Sequence, residues 1–507
     1  MTSHTLMEII KVGSDHDVAI GSINRTPMKY SELRILMVNT VQALRNLGIY
    51  RNQRVAIVLP NGPEMASAFI SVAAGATAAP LNPSYREDEY RFYLEDLNAK
   101  ALLVESDSQS PSIKVAKSLN IPVYEIDFDQ TGPAGKFTIS GSEVIDSIKG
   151  DLIEYAESED IGLVLHTSGT TSRPKIVPLS QKNICTSACN IAGVLGLTSE
   201  DIGLNIMPLF HIHGLIAAVL SSLSAGSSIY CSPGFNALKV YSWFKEVAPT
   251  WYTAVPTMHQ AILSRAKRNS DVIEHMHLRF IRSSSSSLPP QVMAELERVF
   301  VCPVIESYGM TEAAHQMASN PLPPAERRPG SVGVAAGPEV AIMDNDNNLL
   351  SSGKTGEIVI RGDNVTLGYE NNPVANSEAF INGWFRTGDQ GVMDAAGYLQ
   401  ITGRLKEIIN RGGEKISPRE VDEVILDHEA IDQVVTFAYP HEKLGEEVGV
   451  AIVLKEGFQL SEKEVRGFAA KRLADFKVPR KVIFIDEIPK GATGKLQRIG
   501  LHEKLGL

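Results

Sequence analysis

Thr167-Ser168-Gly169-Thr170-Thr171-Ser172-Arg173-Pro174-Lys175 is the stretch from which the rest of the chain can be read. It follows Ile161-Gly162-Leu163-Val164-Leu165, an apolar run with a strand's composition. Hydroxyls, a glycine and two cations crowd together in it, a composition suited to holding phosphate. Glycine permits a turn that a Cβ would forbid, N–H and O–H groups can converge on one anion, and the cations neutralise it. A Walker A loop would need G-x-x-x-x-G-K-[S/T]. Here Ile176 follows Lys175 without a second glycine, which excludes a P-loop NTPase. Taken alone the run also fits a polar surface turn, so its neighbours must decide.

Upstream, helix-like and strand-like segments alternate. Ser31 to Leu47 carries apolar residues at helical spacing, ends near Gly48, and leads into the buried-strand run Val55-Ala56-Ile57-Val58-Leu59, closed by Pro60-Asn61-Gly62. A second helical stretch, Glu64 to Ala74, precedes Ala79-Pro80-Leu81. This alternation predicts an α/β fold of layered sheets and helices with largely parallel strands. Downstream come Met207-Pro208-Leu209-Phe210-His211-Ile212-His213-Gly214, then Thr250-Trp251-Tyr252-Thr253-Ala254-Val255-Pro256-Thr257, then Arg282-Ser283-Ser284-Ser285-Ser286-Ser287. The serine run follows the strand-like Arg279-Phe280-Ile281, which predicts a binding loop at a strand end rather than a linker. From about residue 330 short β segments dominate, predicting a β-rich subdomain. The last hundred or so residues read as a small α+β unit, in which Ser417-Pro418-Arg419-Glu420 has the pattern of a capping box.

Composition sets outer bounds. A chain of 507 residues is long for one domain. A formal charge of −11 argues against nonspecific nucleic-acid binding and against attraction to anionic membranes. No apolar run approaches the ~18 residues of a membrane span, so no membrane insertion is expected. Cys185, Cys189, Cys231 and Cys302 show no C-x-x-C spacing, which suggests a reducing compartment and a cytoplasmic protein. No obligatory protein partner is evident.

Together the segments resemble the adenylate-forming superfamily of acyl-CoA synthetases, firefly-type luciferases and peptide-synthetase adenylation domains. Five motifs match in order. They are the phosphate loop; Tyr308-Gly309-Met310-Thr311-Glu312; Gly383-Trp384-Phe385-Arg386-Thr387-Gly388-Asp389; Gly403-Arg404-Leu405-Lys406; and Pro489-Lys490-Gly491-Ala492-Thr493-Gly494-Lys495. The resemblance implies an N-terminal AMP-binding domain, residues 1–403, and a mobile C-terminal lid, residues 404–507, hinged near Lys406. It also implies ATP, Mg²⁺ and coenzyme A as cofactors and co-substrates. A carboxylic acid is first joined to AMP with release of pyrophosphate, and a thiol then displaces AMP.

Residue by residue, the resemblance makes Lys495 the catalytic lysine of the adenylating step, with His211 and Thr170 as further catalytic candidates. Thr167, Ser168, Gly169, Thr170, Thr171 and Lys175 would hold phosphate. Ser284, Ser286, Tyr308, Gly309 and Thr311 would surround the nucleotide, and Asp389 and Arg404 its ribose. Glu312, with Thr170, would hold Mg²⁺, and Gly412 and Gly413 would line the coenzyme A tunnel. One departure is Ile176, where the family usually has glycine.

For the acid, the serine run, His211 and Ala313-Ala314-His315 would leave polar groups unpaired against a long alkyl chain, at ~1–3 kcal/mol each. An acid with polar ends fits better. The stretches 165–175, 251–257 and 279–283 are similar to the oxalate-CoA ligases of plants and fungi. That likeness makes His211, Ser285, Ser287 and His315 the substrate residues and oxalate the expected acid. A short- or medium-chain or aryl acyl-CoA synthetase, an enzyme loading a carrier protein in trans, and a luciferase-like oxygenase remain open.

Overall fold

The computed structural model describes residues 4–140, 154–167, 174–490 and 496–507. Two large, mainly parallel sheets share one helical layer. The first orders its seven strands Thr138–Ile139, Val123–Asp127, Ala101–Glu105, Arg54–Val58, Thr77–Pro80, Ile161–His166 and Ile176–Ser180. Arg54–Val58 lies between two parallel partners, so its apolar run is buried on both faces. The second sheet has nine strands. Its centre is Ser228–Cys231, Ile202–Asn205, Trp251–Ala254, Phe280–Ser283 and Val304–Met310, all parallel, extended by the antiparallel hairpin partner His315–Ser319.

Between the sheets lies helix Pro63–Ala73, every residue of which is buried. It packs on strands of both sheets, which explains its lack of a polar face. The expected helix over 31–47 is Tyr30–Asn46, and the expected strand over 55–59 is Arg54–Val58. Beyond residue 338 an antiparallel five-stranded sheet forms from Glu339–Met343, Thr355–Arg361, Phe380–Ile381, Trp384–Met393 and Leu399–Arg404. A further five-stranded sheet, Ile409–Arg411 to Lys481–Phe484, has its own core of Ile409, Val421, Ile425, Val448, Val450 and Ile452.

Helix Pro418–Leu426 begins at Ser417, but the expected capping box is only half made. The Ser417 hydroxyl accepts from the Glu420 amide and donates to the Thr402 carbonyl, while the Glu420 carboxylate binds Lys477 at 2.6 Å. A cation within reach outcompetes the neutral Ser417 amide for that carboxylate. The four cysteines form no disulfide. Among the described residues no helix is long and apolar enough to cross a membrane.

Candidate active site

A cavity of about 420 Å³ opens where the C-terminal ends of the central strands meet the third sheet and the C-terminal unit. Strand polarity explains its position, since the loops leaving one end of a parallel sheet converge there. Thr167 stands at one edge, on the hairpin between Ile161–His166 and Ile176–Ser180. Its amide donates to the Lys175 carbonyl at 3.0 Å and its hydroxyl accepts from the Lys175 amide at 3.3 Å, closing the loop at its neck. Ile176 is the first residue of the returning strand, and its side chain is buried in the core. Ser168, Gly169, Thr170, Thr171 and Lys495 lie outside the described residues.

One wall is strand Val304–Met310 with the turn Thr311–Ala313. Tyr308 is buried, and its hydroxyl donates to Asp389 Oδ2 at 2.5 Å. Asp389 also pairs with Arg404 Nε at 3.2 Å, because Trp384–Met393 and Leu399–Arg404 are antiparallel neighbours that place these residues opposite each other. Gly309 and Thr311 line the same wall. Gly309 has a steric reason to be glycine, since a Cβ there would lie 1.8 Å from the His315 carbonyl oxygen.

Glu312 is almost fully buried and accepts from the Tyr369 hydroxyl at 2.7 Å, while Lys175 Nζ sits 4.3 Å above the Tyr369 ring. Burial pushes the Glu312 carboxyl above its usual range, against the pull of Tyr369, Arg404 and Lys175. A buried carboxylate that favours a nearby cation, with an oxygen besides the one bonded to Tyr369, fits a hard ion such as Mg²⁺. Among the described residues no cluster of three or more His, Cys, Asp or Glu could hold a metal, so phosphate oxygens would supply further ligands.

At the other end His211, Thr257, Gln260 and Ser285 face the cavity, together with Ser286 and Ser287. His211 is held by a short chain of bonds. Asn61 accepts from the Leu209 amide at 2.7 Å, and the His213 amide donates to His211 Nδ1 at 3.3 Å. Ser285 and His315 have φ values of 70° and 92°, backbone conformations that non-glycine residues avoid at a cost of roughly 1–3 kcal/mol each. Strained backbone of this kind clusters at functional sites.

Other candidates lie away from the cavity. Ser284 is buried, with its hydroxyl donating to the Ser307 carbonyl at 3.0 Å. His315 lies behind the cavity wall, fully buried, its ring 5.0 Å from that of His213. Lys406 is exposed in the turn after Leu399–Arg404, and Gly412 and Gly413 form the exposed tip of the hairpin joining Ile409–Arg411 to Glu414–Ile416. Their φ values of 60° and 97° lie in the left-handed region that favours glycine.

Three residues at this site escape sequence reasoning. Arg282, the penultimate residue of strand Phe280–Ser283, has a fully buried guanidinium, and burial draws its pKa down to about 9. His213 opens the buried π-helix His213–Leu220 and bonds Ser285 Oγ at 3.0 Å. Glu306, one strand alternation before Tyr308, is 1% exposed, and its carboxyl is pushed up to about 7. The sequence held two usable signals, a charged residue inside an apolar strand and a histidine opening an apolar helix.

The chain matches the AMP-binding enzyme family over residues 13–370 and the AMP-binding enzyme C-terminal domain over residues 420–495. It is 42% identical over 505 residues to the oxalate–CoA ligase of Arabidopsis thaliana, covering 96% of this chain and 98% of that relative. The oxalate–CoA ligase of Saccharomyces cerevisiae is 43% identical over 472 residues, with coverages of 89% and 86%. The crystal structure of ATP-bound MatB from Rhodopseudomonas palustris superposes with a TM-score of 0.89 at 27% identity, covering 99% of this chain and 98% of that one.

Proposed function

The chain belongs to the AMP-binding enzyme family, that of the AMP-forming acid–CoA ligases, and we propose that the acid it activates is oxalate. The observation that carries this reading is the acyl end of the cavity. Ser285 lines it on strained backbone, and behind it, out of the cavity, His315 is strained too and a buried arginine stands close by. Maintaining two such conformations is costly, and a short acid with a second carboxylate makes use of the polar groups they present.

In the first half-reaction a carboxylate oxygen of the acid bonds to the α-phosphorus of ATP as the bond to the β-phosphate oxygen breaks, releasing pyrophosphate. In the second, the sulfur of coenzyme A bonds to the acyl carbon and AMP leaves with its electron pair. Asp389 and Arg404 hold the ribose, Asp389 as an acceptor-only group, and Tyr308 presents its ring to the adenine. Lys495 neutralises charge developing between the acid and the α-phosphate. Glu312 would hold Mg²⁺, which when bound would neutralise charge on the phosphates. Ser285, Ser287 and His211 fix the acid's second end, with His315 behind them.

The C-terminal unit, from about residue 404, turns about Lys406 between the two half-reactions. Leu496 and Arg498, which follow the run 491–495, line the cavity, and this supports the adenylating pose for the present arrangement. The Gly412–Gly413 tip is exposed away from the cavity in this pose and reaches the pantetheine arm only after the turn.

The test is pyrophosphate release with ATP, Mg²⁺ and coenzyme A across oxalate, malonate, acetate, hexanoate, benzoate and 4-coumarate. The expected result is a kcat/KM for oxalate far above the rest. A monocarboxylic acid as the best substrate would overturn the assignment of oxalate while leaving the ligase chemistry in place.

A further inference from the structure

Arg282 is a cation sealed inside the protein. Its side chain has no solvent exposure, and among the described residues no carboxylate forms a salt bridge with it. Its contacts are with neutral groups. Nη1 reaches Thr253 Oγ1 at 3.4 Å and His213 Nε2 at 3.5 Å, while Nη2 reaches Gln316 Oε1 at 3.2 Å and His315 Nδ1 at 3.5 Å. Burying a charge without a counter-charge is costly, so a structural role alone accounts poorly for it.

The chemistry of the guanidinium fixes the direction of the bonds around it. Arginine donates and never accepts. A guanidinium N–H facing His213 Nε2 and His315 Nδ1 favours lone pairs on those atoms, with the ring protons on His213 Nδ1 and His315 Nε2. Thr253 fits the same scheme, accepting from Arg282 and donating to His213 Nε2 at 2.6 Å. His213 Nδ1–H then donates to Ser285 Oγ at 3.0 Å. With that oxygen engaged as an acceptor, the Ser285 hydroxyl proton is left for the cavity that Ser285 lines.

We propose that Arg282 is a positioning residue for substrate specificity, setting the hydrogen-bond polarity of His213, His315 and Ser285 so that the acyl end offers protons, and net positive charge, to a second anionic group on the acid. This inference rests on the reading of the substrate as a dicarboxylate and adds the residue that makes the pocket an anion site. A pocket with the opposite polarity, Ser285 donating to His213, would turn a lone pair toward the same carboxylate and repel it.

The test uses the full-length protein and the variants Arg282→Met and Arg282→Lys. Arg282→Met is expected to lower kcat/KM for oxalate about 100-fold, mainly through KM, while acetate, which has no second carboxylate, changes less than about 5-fold. Arg282→Lys retains the charge without the forked donors and is expected to fall between the two for oxalate. An equal loss on oxalate and acetate, or no loss on either, overturns the proposal. Histidine-selective ¹⁵N NMR of the wild type, with His213→Asn and His315→Asn variants for assignment, reads the ring protons directly. The expected tautomers are Nδ1–H for His213 and Nε2–H for His315, and the reverse for His213 overturns the proposal whatever the acid. A wild type that prefers acetate, with the expected tautomers, would instead fault the choice of substrate.

Discussion

Replacing Glu306 with glutamine is expected to stabilise the N-terminal region above neutral pH and to matter little in mild acid. The carboxyl lies in the cavity wall at 1% exposure, with Oε1 accepting from the Leu288 amide at 3.0 Å. Helix Pro418–Leu426 brings Arg419 and Glu423 toward it. Burial raises the pKa from 4.5 to about 7, Glu423 adds to the rise, and Arg419 and the Leu288 amide oppose it. Below the unfolded value of 4.5 both states are protonated and the charge has no effect on stability. From there to about pH 7 the folded protein binds more protons than the unfolded chain, so stability falls as pH rises. Above that the loss is complete, on the order of 3 kcal/mol. Glutamine keeps the carbonyl for Leu288 and cannot ionise. The advantage of Glu306→Gln should therefore grow from about 1 kcal/mol at pH 5 to about 3 kcal/mol at pH 8. Urea unfolding followed by tryptophan fluorescence measures it, because Trp243, Trp251 and Trp384, the chain's three tryptophans, all precede residue 404. A difference independent of pH, or a variant less stable than wild type at pH 8, would refute the reasoning.

Three further outcomes are expected. Asp389→Ala removes the partner of Tyr308 and Arg404 and should raise the KM for ATP ~10–100-fold in the pyrophosphate assay, with the KM for the acid little changed; an unaltered ATP KM would count against the ribose role. Gly309→Ala drives a Cβ to 1.8 Å from the His315 carbonyl oxygen, so urea unfolding should show a loss of about 2 kcal/mol or more together with a higher KM for the acid; a variant of wild-type stability would show that the hairpin can give way. Lys495→Ala should lose formation of the acyl adenylate by at least about 100-fold yet convert supplied acyl adenylate to thioester, and equal loss of both half-reactions would contradict the two-pose mechanism.

The parallel sheets were legible because buried strands are written as unbroken apolar runs, such as Val55-Ala56-Ile57-Val58. The serine run was legible as a loop for a similar reason, a polar cluster placed directly after such a run. Arg282 was not, because an arginine at the end of an apolar strand normally reaches solvent, and only the layers packed on both sides of this strand deny it that route. The two histidines of 211–213 illustrate the same limit. Both flank one apolar residue, and the π-helix beginning at His213 turns that ring toward Thr253 and Ser285 while His211 remains at the cavity surface. The half-made cap at Ser417 depends on Lys477, a residue sixty positions away that no local pattern announces.

The cavity draws its walls from both parts of the chain, with Tyr308 to Glu312 on one side and Asp422, Val434, Leu496 and Arg498 on the other. A mixed anhydride such as an acyl adenylate decays in water, and walls drawn from two parts of the chain can shield it during its lifetime. If turnover needs the proposed turn about Lys406 to part those walls, thickening the solvent should slow the enzyme even where every chemical group is intact.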